Sequence, residues 1–179
     1  MPNETTEKII EAYFRYVKGN GHFTLTNVRC PNQKEIDLLA VNFSPEGKIL
    51  SRYHIECSIS ISGAYSKLTA KPFSNNLKIA KPQQRWTVGY FVEKKFNSPD
   101  VLSKLADYGF IGGNYVKLIA TWGWTPEAKE TADKEGIELL DIRSVLKEIA
   151  KFCRDNTSHL LDDTLRTIQL IEKARLTES

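Results

Sequence analysis

The spacing of apolar side chains changes once along this chain of 179 residues, and that change limits the folds open to it. Three strand-length runs come first, over residues 22–29, 35–43 and 52–61. Ser44-Pro45-Glu46-Gly47 separates the last two with turn chemistry and predicts an antiparallel hairpin. Beyond Ser98 the pattern becomes capped helices alternating with short apolar strands. Ser98-Pro99-Asp100 is an N-cap followed by proline at the first helical position, and Gly109 closes that helix. Residues 115–122 read as a continuous apolar strand. Thr125-Pro126-Glu127 caps another helix, which Gly136 stops. A short strand over 137–140 and a helix over 143–152 follow. A hairpin followed by helix–strand alternation implies an α/β fold, a mixed central sheet with helices on both faces and the 115–122 strand inside it.

The flanks are helical. Ile10, Phe14 and Val17 recur at helical spacing over 7–17, and Leu161, Leu165, Ile168 with Ile171 or Ala174 form a stripe over 155–175. Residues 1–153 therefore read as one domain and 154–179 as an appended amphipathic helix. That stripe permits either packing on the domain itself or a homodimer through the helix. No apolar run reaches the roughly 20 residues of a membrane span, and the start of the chain lacks an apolar signal core. Three widely spaced cysteines form no C-x-x-C pair and suit a reducing compartment, so a cytoplasmic protein is expected.

Charge is unevenly placed. From Ala64 to Lys95 there are seven bases, Lys67, Lys71, Lys78, Lys81, Arg85, Lys94 and Lys95, against the single acid Glu93. The segment carries +6, which leaves −3 for the rest of a chain whose net charge is +3. With Phe73, Trp86, Tyr90 and Phe91 beside it, this stretch suits a polyanion such as nucleic acid; a solvated lysine-rich loop is the plain alternative. Residues 64–84 show no clear period, and 86–92 read as extended.

The chemistry lies in the hairpin. With a period of two, residues 53–61 put Ile55, Cys57, Ile59 and Ile61 on one face and His54, Glu56, Ser58 and Ser60 on the other. A polar row on a strand covered from both sides needs a reason, although a wet second face would also produce it. The partner strand holds an acid, Asp37, within an apolar run, and hairpin pairing brings it near Glu56. Two adjacent carboxylates repel unless a cation lies between them. A hard divalent ion such as Mg²⁺ or Mn²⁺ suits them, with waters and a substrate phosphate completing its shell.

An acid in the first helix, Ile36-Asp37 in the second strand and Glu56-Cys57-Ser58 in the third resemble the motif of the PD-(D/E)XK nuclease superfamily, which includes restriction endonucleases and Holliday-junction resolvases. The stretch from Leu118 through Thr125-Pro126-Glu127-Ala128 to Gly136-Ile137-Glu138-Leu139-Leu140 is similar to the end of Mrr-type catalytic domains. The resemblance covers about residues 7–150. It implies a restriction-endonuclease-like αβββαβ core with extra C-terminal helices, and Mg²⁺-dependent hydrolysis of DNA. It also implies Asp37 and Glu56 as metal ligands with the Cys57 carbonyl as a further donor, and Glu11 or Glu7 as the first-helix acid. The superfamily's lysine is here Ser58, so Lys67 or Lys71 would have to reach back. Lys67, Lys71, Lys78, Lys81 and Arg85 would contact nucleic acid. His54 is a candidate base. A catalytically inactive relative, acting as a nucleic-acid-binding or protein-interaction module, is the alternative.

Overall fold

The computed structural model describes residues 5–19, 21–59, 67–70 and 87–177. The first helix, α1 (Thr5–Ala12), widens into a π-helical turn, Tyr13–Val17. Strands β1 (Phe23–Arg29), β2 (Glu35–Phe43) and β3 (Ile49–Ser58) follow. The short helix α2 spans Val88–Tyr90 and continues as a π-helical segment, Phe91–Phe96. Then come α3 (Pro99–Asp107), β4 (Val116–Thr121), α4 (Pro126–Lys134), β5 (Ile137–Asp141), α5 (Ile142–Asp155) and α6 (Asp163–Thr177).

The five strands form one mixed sheet in the order β1-β2-β3-β4-β5, antiparallel across β1-β2-β3 and parallel across β3-β4-β5. One face packs on α1 and α5 through Ile10, Phe14, Leu38, Ile55, Val145 and Ile149. The other packs on α2, α3 and α4 in two clusters, around Phe91, Phe96 and Ile119 and around Ile36, Leu39 and Leu105. Thr125 and Asp141 cap their helices as their residue types favour, accepting from the N–H groups of Ala128 and Arg143. Ser98 occupies its N-cap position, but its hydroxyl accepts from Lys34 instead of the helix backbone.

One expectation changes. Residues 88–92, read as extended, are helical, in a segment that runs on to Phe96. Thr87 caps them by accepting from the Tyr90 N–H, and Val88, Phe91 and Phe96 are buried. A π-turn, here closed by Asn97 N–H on the Val92 carbonyl, brings residues five apart to one side, a spacing that no single α-helical or strand period describes. The C-terminal helix packs on α5 and α1 of the domain itself, one of the two arrangements its stripe permits, and it buries Leu165, Gln169 and Glu172 while Ile171 stays exposed.

Gln169 earns its place in the core because its amide donates to the carbonyls of Asn156 and Ser158, both at 2.9 Å, tying the α5–α6 connection to α6. Gln169→Leu leaves both carbonyls without that partner and is expected to lower stability by about 1–3 kcal/mol. A urea midpoint that falls at unchanged slope will show it.

No helix among the described residues is long and apolar enough to cross a membrane.

Candidate functional site

The polar row of β3 lies on the face covered by α2, and it is dry. His54 and Glu56 are 0% exposed and Ser58 is 5% exposed. Burying such groups unpaired costs several kcal/mol each, so the surroundings must satisfy them.

Asp37 approaches from β2. The β2–β3 register runs Leu39↔His54 and Leu38↔Ile55, so Asp37 is next along the strand, and it meets Glu56 at a shared cation. Asp37 Oδ2 accepts the Cys57 N–H at 2.8 Å. Here β2 loses its alternation: Ile36 and Leu39, three residues apart, pack in one cluster, while Leu38 lies on the opposite face. Across the ladder, β1 skips the pair Asn27–Asp37, and Asn27 sits at φ 51°, the left-handed region. Irregular pairing of this kind re-aims a side chain and recurs beside active sites.

The cation that closes the site is Lys95, carried by the π-helical part of α2. Its Nζ lies 2.5 Å from Glu56 Oε2 and 3.1 Å from Asp37 Oδ1, and it donates to the Glu35 carbonyl at 2.8 Å. Glu56 Oε1 faces His54 Nε2 at 2.8 Å. The two acids thus share one ammonium, and each carboxylate has one further donor.

The electrostatics follow from burial. Asp37 is pushed up to about 7 by burial and then by the charge of Glu56, against the opposing pull of Lys95 and the Cys57 N–H. Burial likewise raises Glu56, opposed by Lys95. Burial on its own would lower Lys95, but the charges of Glu56 and Asp37 outweigh it and hold the ammonium above the ordinary lysine range. His54 falls to about 3 through burial, aided by the Lys95 charge, so it is neutral. With both acids ionised the trio carries −1, an excess that a further cation would neutralise.

The other candidates lie elsewhere. Ser58 Oγ is buried with no hydrogen-bond partner among the described residues. Lys67 is exposed beside Gly123, next to the Leu68–Trp124 bridge, and Lys95 is the ammonium between the acids. The Glu11 carboxylate accepts from Thr24 at 3.0 Å and pairs with Arg15, toward β1. Glu7 is near enough to Cys57 for its charge to help raise that thiol, behind burial and Asp37. The Cys57 side chain belongs to the apolar face, and only its backbone enters the site. Trp122 and Trp124 pack against the two core layers. Lys71, Lys78, Lys81 and Arg85 lie outside the described residues.

Lys95 is the residue that sequence reasoning missed. In sequence it is one base of a charged stretch, and the signal that marks it is the Thr87 cap followed by apolar Val88, Phe91 and Phe96, which the structure lays as a helix over the acids.

Among the described residues no group of three or more His, Cys, Asp or Glu side chains is arranged to hold a metal ion. The donors that do converge, Asp37 Oδ1 and Glu56 Oε2, are hard oxygens facing a single cation, which is the donor type that Mg²⁺ or Mn²⁺ takes. Comparisons with protein-family models, curated proteins and solved structures match nothing to this chain.

Proposed function

We propose that this protein hydrolyses phosphodiester bonds in DNA with Mg²⁺ or Mn²⁺ held by Asp37 and Glu56, on a restriction-endonuclease-like core. The observation that carries the reading is the Asp37–Glu56–Lys95 trio: two acids from paired strands and one lysine from a helix laid over them. The resemblance noted above lacked its lysine at Ser58, and Lys95 supplies an ammonium at the same two acids from elsewhere in the chain.

In this mechanism Asp37 and Glu56 would hold the ion, with the Cys57 carbonyl as a further donor. When bound, such an ion would supply Lewis acidity toward the phosphate and lower the pKa of a water. With the two acids given over to an ion, the Lys95 ammonium would be released from them to orient a water. It would also offer positive charge to the phosphate oxygens as that water's oxygen bonds to phosphorus and the leaving oxygen departs. Asp37 is held by the Cys57 N–H, so its carboxylate keeps one orientation. The Ser58 hydroxyl, without a partner among the described residues, would be available to a water. The basic stretch around Lys67, Lys71, Lys78, Lys81 and Arg85 would track the DNA backbone.

A second reading has its own support. Lys95 already neutralises part of the acid pair, and such a trio is also what a catalytically inactive, nucleic-acid-binding or protein-interaction relative would keep. Relocating the lysine separates the two. Wild type should cut DNA from a mixed panel in Mg²⁺, and Lys95→Ala should slow it by about 10²–10⁴-fold. Lys95→Ala with Ser58→Lys should recover part of the rate, because the new ammonium rises beside Glu56 on the same strand face. Ser58→Lys alone should only destabilise, since that side chain is buried and an ammonium is already present. Binding without cleavage by wild type and by every variant would give the protein to the second reading.

A further inference from the structure

We propose that His54 is a positioning residue, donating Nε2–H to Glu56 Oε1 so that the carboxylate presents Oε2 to the cation site. The inference rests on the metal-dependent reading above.

Three observations support it. His54 Nε2 lies 2.8 Å from Glu56 Oε1, and both side chains are 0% exposed. The other ring nitrogen, Nδ1, is buried with no hydrogen-bond partner among the described residues. A proton on Nδ1 would therefore be an orphaned buried donor, whereas a proton on Nε2 has a carboxylate to receive it, so the Nε2–H tautomer is the one that the surroundings favour. Finally, aromatic rings hold the imidazole. Phe96 meets it edge-on with centroids 4.8 Å apart, and Tyr115 lies at 6.3 Å. Phe96 is the residue after Lys95, so one ring contact joins the support of Glu56 to the turn that carries the ammonium.

This geometry excludes His54 as a base acting on substrate. The ring has no exposed surface, and among the described residues its one hydrogen bond is to a carboxylate. Its role is to leave Glu56 a single orientation, with Oε1 occupied and Oε2 turned to the place that Lys95 and a divalent ion would share. Partners that orient a ligand in this way are typically worth 10–100-fold in metal affinity.

Two amide variants test the reach of the donor. The Gln side chain places its NH₂ where Nε2 lies, whereas the Asn NH₂ stops nearer the position of Nδ1. Calorimetric titration with Mn²⁺ alone should give His54→Gln an affinity close to wild type, and His54→Asn and His54→Phe an affinity about 10–100-fold weaker. Melting in chelator checks that each variant is folded. Imidazole ¹⁵N spectra of wild type at neutral pH should show the neutral ring protonated on Nε2. Equal Mn²⁺ affinities across the folded variants, or Gln as weak as Asn, would overturn the positioning role and leave the metal site standing. Absence of Mn²⁺ binding by wild type would overturn both. If only the Phe variant fails to fold, the comparison of Gln with Asn still decides.

Discussion

Lys95→Met is expected to cost about 3–5 kcal/mol of stability in chelator, the usual effect of removing one member of a buried ion pair. The ammonium lies between Glu56, whose side chain is 0% exposed, and Asp37, whose side chain is 16% exposed. Without it two buried carboxylates face each other with no counter-charge. The methionine fills most of the volume, so packing contributes little to the loss. Added Mn²⁺ should return part of the stability, because an ion taking Asp37 Oδ1 and Glu56 Oε2 replaces the missing charge. The gain should exceed the one that Mn²⁺ gives wild type, where the ammonium holds the same two oxygens. Urea unfolding with and without Mn²⁺ measures both effects. A loss below about 1 kcal/mol in chelator would mean that the trio is no more than a surface-like ion pair.

Asp37→Asn is expected to do the reverse in chelator. The folded-state pKa of Asp37 is about 7 against an ordinary value of 3.8. The folded value is the higher one, so the contribution of this group is fully present below 3.8 and is lost as the pH rises through about 7. The gap corresponds to a change on the order of 4 kcal/mol over that window. Asparagine still accepts from the Cys57 N–H and has no charge to lose. Asp37→Asn should therefore flatten the pH dependence and be more stable than wild type above pH about 7, while losing any stabilisation by Mg²⁺ and the cleavage that depends on it. Thermal melts across the pH range, with and without Mg²⁺, give both readouts. A variant that tracks the wild-type pH curve would show that Asp37 is not the titrating group.

Local chemistry makes much of the fold legible. Ser44-Pro45-Glu46-Gly47 joins two strands because proline and glycine suit a turn. Thr125-Pro126 starts a helix because the hydroxyl caps it and proline lacks only an N–H that would be free anyway. The acids were legible for the opposite reason. Asp37 in an apolar run, and Glu56 in a polar row on a strand covered from both sides, contradict their surroundings, and such contradictions gather where a site is built.

The helical ends were less legible. Gln169 and Glu172 replace part of the apolar stripe of α6, because Gln169 binds two loop carbonyls and Glu172 pairs with Arg154. A hydrophobic period cannot register a polar residue buried through its partners. Spacing to the next strand also does not encode where the first-helix acids lie: Glu11 meets Thr24 and Arg15, whereas the charge of Glu7 reaches Cys57.

The chain's own pattern therefore determined an α/β architecture with a hairpin, the facing of β3, and the pairing of Asp37 with Glu56, since each depends on neighbours in sequence or on one hairpin register. Which cation answers those acids was decided only in three dimensions. Lys95 is 39 residues beyond Glu56 on a turn whose π-helical spacing hides its inward face, and it reads as one more base in a charged stretch. Burial beneath that helix turns an ordinary lysine and two ordinary carboxylates into a mutually dependent set, because the strength of charge interactions is set by the exclusion of water, a property of the assembled fold.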